Sequence, residues 1–155
     1  MTITQLTWAV KESLLSYIGD LEDGVLVGSD GATFTGERFS FEVADAPTGE
    51  GSGFDDTSLT GTLCFRGTAT LRGHDGMLNV VLSDPCVVLE NGAGEIRVAY
   101  PGAKDGRQLD IAKLTASREG DDIVADAHLT MTGVNVLGPQ YLPGTKIAPV
   151  RIHVS

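Results

Sequence analysis

The sequence predicts a mainly β fold: an antiparallel β-sheet or sandwich-like single domain over residues 1–155, with one short N-terminal helix at about residues 8–18. Two observations favour this class. The chain has 155 residues, 41% of them hydrophobic, which is enough for one substantial core. Its 20 glycines are spread over the whole length together with many valines and threonines, as expected for short strands joined by turns.

The N-terminal segment is predicted to pass from a strand into the helix. Ile3–Thr7 has the pattern of an extended strand, and Trp8–Ile18 carries apolar side chains at helical spacing, namely Val10, Leu14, Tyr17 and Ile18. Thr7 can cap the start of this helix, and Gly19 can end it. Tyr17 is therefore expected on the apolar face.

The segment after the helix is predicted to form a strand, a hairpin and a loop. The strand is Val25–Val27. The alternating pattern of Ala32–Val43 predicts a hairpin with Phe39 and Phe41 on its buried face. Asp45–Ser58 is rich in glycine, serine, proline and acidic residues, which predicts a long loop.

The central segment, Leu59–Leu89, predicts the clearest hairpin, because two strand-like runs flank the turn at Gly73–Gly76. Folding about this turn places Cys64 almost opposite Cys86, close enough for a cross-strand disulfide. Two buried free thiols are the alternative. Further strands are predicted at Glu95–Tyr100, Gln108–Ser117, Ile123–Thr132 and Val150–Val154.

The charge of the chain argues against nucleic acid and anionic membranes as partners. The formal net charge is −10 at pH 7, and lysine and arginine are scattered singly. No run approaches the roughly 20 apolar residues that a membrane-spanning helix needs, so no direct membrane insertion is expected. The N-terminal residues also lack the pattern of a signal peptide.

The sequence carries no familiar catalytic signature, which favours a binding protein over an enzyme. A nucleophile elbow, a phosphate-binding loop, a dinucleotide-binding glycine pattern and a zinc-protease motif are all missing. Among the histidines, His128 and His153 lie in predicted strands, whereas His74 occupies a turn. Phe54 and Tyr141 lie near turns and can line a ligand site, although exposed aromatic residues are common in such places.

Three segments carry a resemblance to a known family: LTWAVKESLLSYI, GHDGMLNVVLSDP and YLPGTKIAPVRIHV. Together they resemble the HtaA family, the conserved-region domains of cell-surface haem-uptake proteins in corynebacteria and other actinobacteria. The resemblance covers Leu6 to Val154 in order and approximate spacing. It implies a β-rich fold that holds one haem, with Tyr17 as the axial ligand of the iron and His74 hydrogen-bonded to Tyr17.

The chemistry of these two residues is consistent with that role. Phenolate is a hard anionic oxygen that suits Fe(III), and tyrosine is a recognised haem ligand. A free phenol has a pKa of about 10, so ligation at neutral pH needs the charge of the metal and a donor to the phenolate oxygen, which His74 can supply.

The predicted helix offers further pocket residues. Val10, Leu14 and Ile18 are expected to cover a porphyrin face, and Ser13 points the same way one turn before Tyr17. A buried structural tyrosine with a satisfied hydroxyl is the alternative interpretation of Tyr17.

The leading hypothesis is a secreted or cell-surface module that captures ferric haem and relays it to a haem-uptake system. A second hypothesis is a protein-interaction module that contacts haemoglobin or another haem-uptake protein through the acidic Asp45–Ser58 loop, with haem binding secondary. A third is a haem-dependent peroxidase or catalase, which would need distal acid–base residues that the sequence does not place near either motif.

Overall fold

The computed structural model describes residues 3–44, 54–101 and 105–155. Within these ranges the fold is mainly β and antiparallel, with a short helix near the N-terminus, so the predicted fold class is confirmed. The helices are α1 (Glu12–Gly19) and α2 (Met131–Leu137). The strands are β1 (Ile3–Trp8), β2 (Val25–Ser29), β3 (Ala32–Phe34), β4 (Phe39–Val43), β5 (Gly61–Arg66), β6 (Thr68–Gly73), β7 (Leu78–Ser83), β8 (Cys86–Glu90), β9 (Ala93–Ala99), β10 (Gln108–Glu119), β11 (Asp122–Leu129) and β12 (Lys146–Val154).

Eight of the strands form a sheet that closes on itself. Each pairs with the next in the order β1, β12, β11, β10, β9, β8, β5 and β4, and β4 pairs back to β1. The closure is made at Trp8, which lies opposite Phe39 of β4 and opposite Val150 of β12. A closed sheet encloses a packed core, and its largest fully buried side chains include Trp8, Phe39, Phe41 and Phe65.

The predicted central hairpin is divided between two sheets. Strands β5 and β8 belong to the closed sheet, whereas β6 and β7 pair with β2 in a three-stranded sheet. At the division, Gly67 N–H donates to Asp84 Oδ1 (3.1 Å) and Asp84 N–H donates to Gly67 O (2.8 Å). Gly67 has a φ of +133°, and a Cβ there would lie 2.3 Å from Ala32 N. The prediction of two uninterrupted strands is therefore wrong at this point.

Helix α1 begins four residues later than predicted, at Glu12 instead of Trp8. Trp8 remains in β1, where its indole N–H donates to Ala148 O (3.0 Å) inside the core. Val10 has a φ of +63°, and its carbonyl accepts from Ala148 N–H (2.9 Å). Pairing with two strands and burial of the indole outweigh the weak helical propensity of this segment, because tertiary packing overrides local preference.

A second helix, α2, replaces the end of the strand predicted at Ile123–Thr132. Strand β11 ends at Leu129, and the Thr130 hydroxyl caps the helix by accepting from Gly133 N–H (2.9 Å). A Cβ at Gly133 would lie 2.0 Å from Ile111 O, so the glycine allows α2 to lie against β10. Neither α1, α2 nor any other helix of the described ranges has the length and apolarity to span a bilayer.

Cys64 and Cys86 lie directly opposite each other on β5 and β8 and form a disulfide, with 4.1 Å between their Cα atoms. The prediction that the two cysteines lie close enough for a cross-strand disulfide is therefore confirmed. Of the predicted Asp45–Ser58 loop, residues 45–53 lie outside the described part of the chain. Phe54, a sequence candidate for a ligand site, packs against the hydrophobic core.

Candidate functional site

Helix α1 presents Tyr17 at the boundary between its buried and exposed faces. Leu14, Leu15 and Ile18 are buried against the body of the protein, whereas the Tyr17 side chain is 50% exposed. This corrects the expectation that Tyr17 lies fully on the apolar face, and it disagrees with the alternative of a buried structural tyrosine. A half-exposed phenol can receive a ligand from solvent.

The turn between β6 and β7 carries His74. Gly73 and Leu78 pair as the last residues of the two strands, and His74 and Asp75 at the tip have φ values of +53° and +55°. Two consecutive residues in this region are typical of the tight turns that join twisted strands. The carboxylate of Asp23, in the loop after α1, accepts hydrogen bonds from the backbone N–H groups of both His74 and Asp75.

The helix and the turn bring Tyr17 and His74 together, as the resemblance implies. A hydrogen bond joins Tyr17 Oη and His74 Nε2, which lie 2.5 Å apart. The two ring centroids are 5.6 Å apart, and the ring planes are tilted by 48°. Both side chains are exposed, so the hydrogen-bonded pair is accessible to solvent.

The Tyr17–His74 pair lines a cavity of about 420 Å³ that is otherwise mostly apolar. This volume falls within the roughly 300–1,000 Å³ of small-molecule pockets in proteins. The lining combines parts of α1, the β6–β7 turn and the segment after α2: Ser13, Leu14, Tyr17, His74, Leu78, Gln140 and Tyr141. We call it the tyrosine cavity.

Four of the six site residues predicted from the sequence line the tyrosine cavity, and two do not. Tyr17, His74, Ser13 and Leu14 are in the lining. Val10 lies before α1, so helical spacing does not apply to it, and its side chain is fully buried in the core. Ile18 is on α1 but turns away from the cavity into the core, where it is also fully buried.

The segment that follows α2 also contributes to the lining of the tyrosine cavity. Tyr141 was singled out as an aromatic residue near a turn, and it is partly buried at the cavity. Leu78 on β7 belongs to the quoted segment GHDGMLNVVLSDP, although it is not among the predicted site residues. Gln140 beside Tyr141 carries no sequence signal, because only the tertiary fold brings it next to α1. Tyr141 N–H donates to Gly138 O (3.3 Å), which ties the segment to the end of α2.

A larger concavity of about 940 Å³ lies on the other side of α1. Two pairs of charged side chains line it: Arg151 donates to Glu119 (2.6 Å), and Arg38 donates to Glu37 (3.4 Å). Arg151 also donates to Asp122 (2.8 Å) beside the concavity. Beside it, burial lowers the pKa of His153, whose Nε2 lies 2.9 Å from the Thr7 hydroxyl. Hydrogen bonds led by that from Val154 N–H lower the pKa of Asp122. The larger concavity therefore presents arginine–carboxylate pairs, whereas the tyrosine cavity presents the accessible oxygen of Tyr17.

The chemistry of the tyrosine cavity is that of a site for a flat apolar molecule with a hard metal cation. Leu14, Leu78 and Tyr141 supply apolar contact area, and the Tyr17 oxygen supplies an anionic ligand once it loses its proton. His74 is placed to hydrogen-bond to that oxygen.

Comparison with known proteins gives one family and a set of similar structures. The HtaA family model matches residues 4–153. The N-terminal domain of HtaA from Corynebacterium glutamicum has a TM-score of 0.77 at 20% identity, over 99% of this chain and 98% of that chain. The C-terminal domain of the same protein has a TM-score of 0.71 at 21% identity, over 97% and 96%.

Heme binding protein HtaB from Corynebacterium glutamicum has a TM-score of 0.70 at 19% identity, over 97% of this chain and 91% of that chain. At these identities the structures establish that the fold is shared. A comparison with curated proteins found no match to the chain.

Proposed function

The chain belongs to the HtaA family, and on that basis we propose that it is a haem-binding module that captures ferric haem through the phenolate oxygen of Tyr17. The observation that carries this proposal is the 2.5 Å contact between Tyr17 Oη and His74 Nε2 at the lining of the tyrosine cavity. Heme binding protein HtaB, whose fold the chain shares, supports haem as the ligand.

The residues of the tyrosine cavity fit haem. The porphyrin ring is flat and apolar, and Leu14, Leu78 and the ring of Tyr141 offer matching contact surfaces. Iron in the ferric state prefers a hard anionic oxygen, which tyrosinate provides. With Tyr17 half exposed, its oxygen is accessible without unfolding α1.

His74 has a defined part in this proposal. In the phenol form, the Tyr17 hydroxyl donates to the Nε2 lone pair of His74. When Tyr17 becomes a ligand, the Oη proton passes to the lone pair of Nε2, and the resulting Nε2–H donates back to the phenolate oxygen. A hydrogen bond to the charged form favours that form, so His74 stabilises the state of Tyr17 that binds the metal.

The module is proposed to carry haem without chemical turnover and to relay it to an uptake system, in a secreted or cell-surface setting. The Cys64–Cys86 disulfide supports such a setting, because disulfides persist mainly in oxidising compartments. The half-exposed Tyr17 is consistent with a transfer role, since a ligand held at an open site can pass to an acceptor. Contact with haemoglobin or another haem-uptake protein is part of the same proposal.

A hemin titration of the wild type, Tyr17→Phe and Tyr100→Phe tests the proposal. Tyr100 is a matched control, because it is similarly exposed (43%) and its ring lies against the Arg107 guanidinium instead of the tyrosine cavity. We expect the wild type and Tyr100→Phe to bind one hemin with the absorption spectrum of tyrosinate-ligated ferric haem. Tyr17→Phe should lose that spectrum and most of the affinity; an unchanged titration would overturn the proposal.

A further inference from the structure

We propose that Asp23 is a positioning residue of this site, which holds the β6–β7 turn in the conformation that directs His74 at Tyr17. This inference rests on the proposed function, because it concerns how the Tyr17–His74 pair is kept ready for haem. It assigns a role to a residue of the loop between α1 and β2.

The two carboxylate oxygens of Asp23 each hold one backbone group of the turn. His74 N–H donates to Oδ1 (3.2 Å), and Asp75 N–H donates to Oδ2 (2.7 Å). These contacts span more than fifty residues of sequence, so they are tertiary contacts and not a local turn motif. One side chain thereby fixes two consecutive peptide units.

The peptide units that Asp23 holds belong to two residues whose backbone conformation needs support from surrounding contacts. His74 and Asp75 are both in the left-handed region, which residues with a Cβ adopt at a conformational cost. Such a conformation persists when surrounding contacts determine it. The direction of the His74 side chain follows from the φ and ψ of its own backbone, so a change in the turn would move Nε2 away from Tyr17.

The loop that carries Asp23 is itself fixed on both sides. It starts at the end of α1, so that Asp23 lies six residues after Tyr17, and a Cβ at Gly24 would lie 2.0 Å from Ile18 O. On the other side Leu21 lies against the turn, since a Cβ at Gly73 would lie 2.5 Å from Leu21 Cδ1. Asp23 therefore connects the helix that bears Tyr17 to the turn that bears His74.

Asp23 is suited to this task as a carboxylate. Its pKa is lowered, chiefly by the hydrogen bond from Asp75 N–H, so the side chain is ionised at neutral pH and accepts through both oxygens. Hydrogen bonds from N–H groups to an ionised acceptor are stronger than those between neutral groups. An asparagine would retain one accepting oxygen and lose the other.

The test compares Asp23→Ala and Asp23→Asn with Glu22→Ala, a control that removes one negative charge from an exposed neighbouring position of the same loop. Hemin-loaded protein is mixed with excess apomyoglobin, and the rate of haem loss is followed by absorption. We expect Asp23→Ala to release hemin about tenfold faster, Asp23→Asn to be intermediate, and Glu22→Ala to match the wild type. Equal rates in Asp23→Ala and the wild type would overturn the inference.

A double variant separates positioning through His74 from general structural support. If Asp23 acts through His74, then Asp23→Ala added to His74→Ala should produce no further acceleration, because the residue that Asp23 positions is already gone. Fully additive effects would contradict the inference.

Backbone hydrogen exchange in the apo protein tests the role of Asp23 independently of haem binding. In Asp23→Ala the amides of His74 and Asp75 should exchange faster, whereas in Tyr17→Phe they should not. If Tyr17→Phe retained hemin fully while Asp23→Ala still accelerated this exchange, the proposed haem ligand would be wrong. The inference that Asp23 stabilises the β6–β7 turn would still stand. Unchanged exchange in Asp23→Ala would overturn the inference that Asp23 stabilises the turn.

Discussion

Tyr17 Oη and His74 Nε2 lie 2.5 Å apart although 57 positions of sequence separate the two residues. Helix α1 lies beside the tip of the β6–β7 hairpin, and the loop after α1 is hydrogen-bonded to that tip through Asp23. Neither residue is deeply buried, so packing of their side chains does not explain the arrangement. A binding role explains it better, and the following predictions test the site and the fold that supports it.

Replacing His74 should weaken haem binding without weakening the fold. We expect His74→Ala to bind hemin about 10- to 100-fold more weakly, because a hydrogen bond to a charged oxygen contributes roughly 1.5–3 kcal/mol. Hemin titration measures the affinity, and thermal melting of the apo protein measures stability. His128→Ala is the control, since His128 is exposed on β11 away from the cavity. A large loss of apo stability in His74→Ala would indicate a structural residue instead.

Tyr141 should contribute contact area and not a ligand atom. Tyr141→Ala is expected to lower hemin affinity about fivefold, because a packed aromatic ring is worth roughly 0.5–1.5 kcal/mol beyond its burial. Tyr141→Phe keeps the ring and should bind like the wild type with an unchanged spectrum. If Tyr141→Phe instead lost the tyrosinate-type spectrum, the ligand would have to be reassigned from Tyr17 to Tyr141.

Asp110 should make stability depend on pH. Burial, followed by the neighbouring Glu95, raises the pKa of Asp110 to about 6. Within the described ranges Asp110 Oδ1 has no hydrogen-bond donor, so a carboxylate there faces Glu95 unsatisfied, whereas a protonated Asp110 can donate to it. The folded-state pKa lies above the ordinary value of 3.8, so the stabilisation is present below about pH 4 and is lost as the pH rises through 6.

Asp110→Asn should remove this dependence, because its amide donates to Glu95 at every pH. Urea unfolding is expected to show the variant more stable than the wild type by about 1 kcal/mol at pH 7, with no difference near pH 4. This magnitude allows for solvent screening and for loss of the weak ion pair with Lys113, whose side chain is 69% exposed. Asp126→Asn, at an exposed position of β11, is the control. A variant less stable than wild type at pH 7 would contradict the account.

The disulfide should matter for stability and not for haem. Replacing both Cys64 and Cys86 by alanine is expected to lower the free energy of unfolding by roughly 3 kcal/mol, since the bond closes a chain segment 22 residues long. The tyrosine cavity has no lining residue from β5 or β8, so hemin affinity should be retained. Urea unfolding measures the loss of stability, and hemin titration of the same variant measures its affinity. Loss of hemin binding by a folded variant would show that the disulfide supports the haem site.

Much of the fold is readable from the sequence because it is encoded locally. Alternation predicted the hairpin of β3 and β4, and the turn at Gly73–Gly76 set the register that places Cys64 opposite Cys86. The start of α1 was not predictable from periodicity, because Trp8 is held by strands on both sides. The change from strand to helix at Thr130 depends on the close approach of Gly133 to β10, which is a tertiary contact.

The residues of the candidate site likewise include some that local sequence predicts and others that it does not. The proximity of Tyr17 and His74 was predicted from motifs, and Ser13 and Leu14 follow from their spacing to Tyr17 on one helix. Val10 and Ile18 are expected beside them if one apolar face of a helix over residues 8–18 covers the porphyrin, but both lie in the core. Leu78 lies in the same motif segment as His74, whereas Gln140 enters the lining from a distant segment that no local pattern of sequence identifies.

Resonance Raman spectroscopy of the hemin-loaded protein tests the central claim most directly, because it detects the bond between iron and a phenolate oxygen. We predict bands of iron-bound tyrosinate in the wild type that shift when tyrosine is ring-deuterated, and that are retained in Tyr100→Phe but missing in Tyr17→Phe. Bands that persist in Tyr17→Phe, or a loaded wild type that shows none, would contradict ligation by Tyr17.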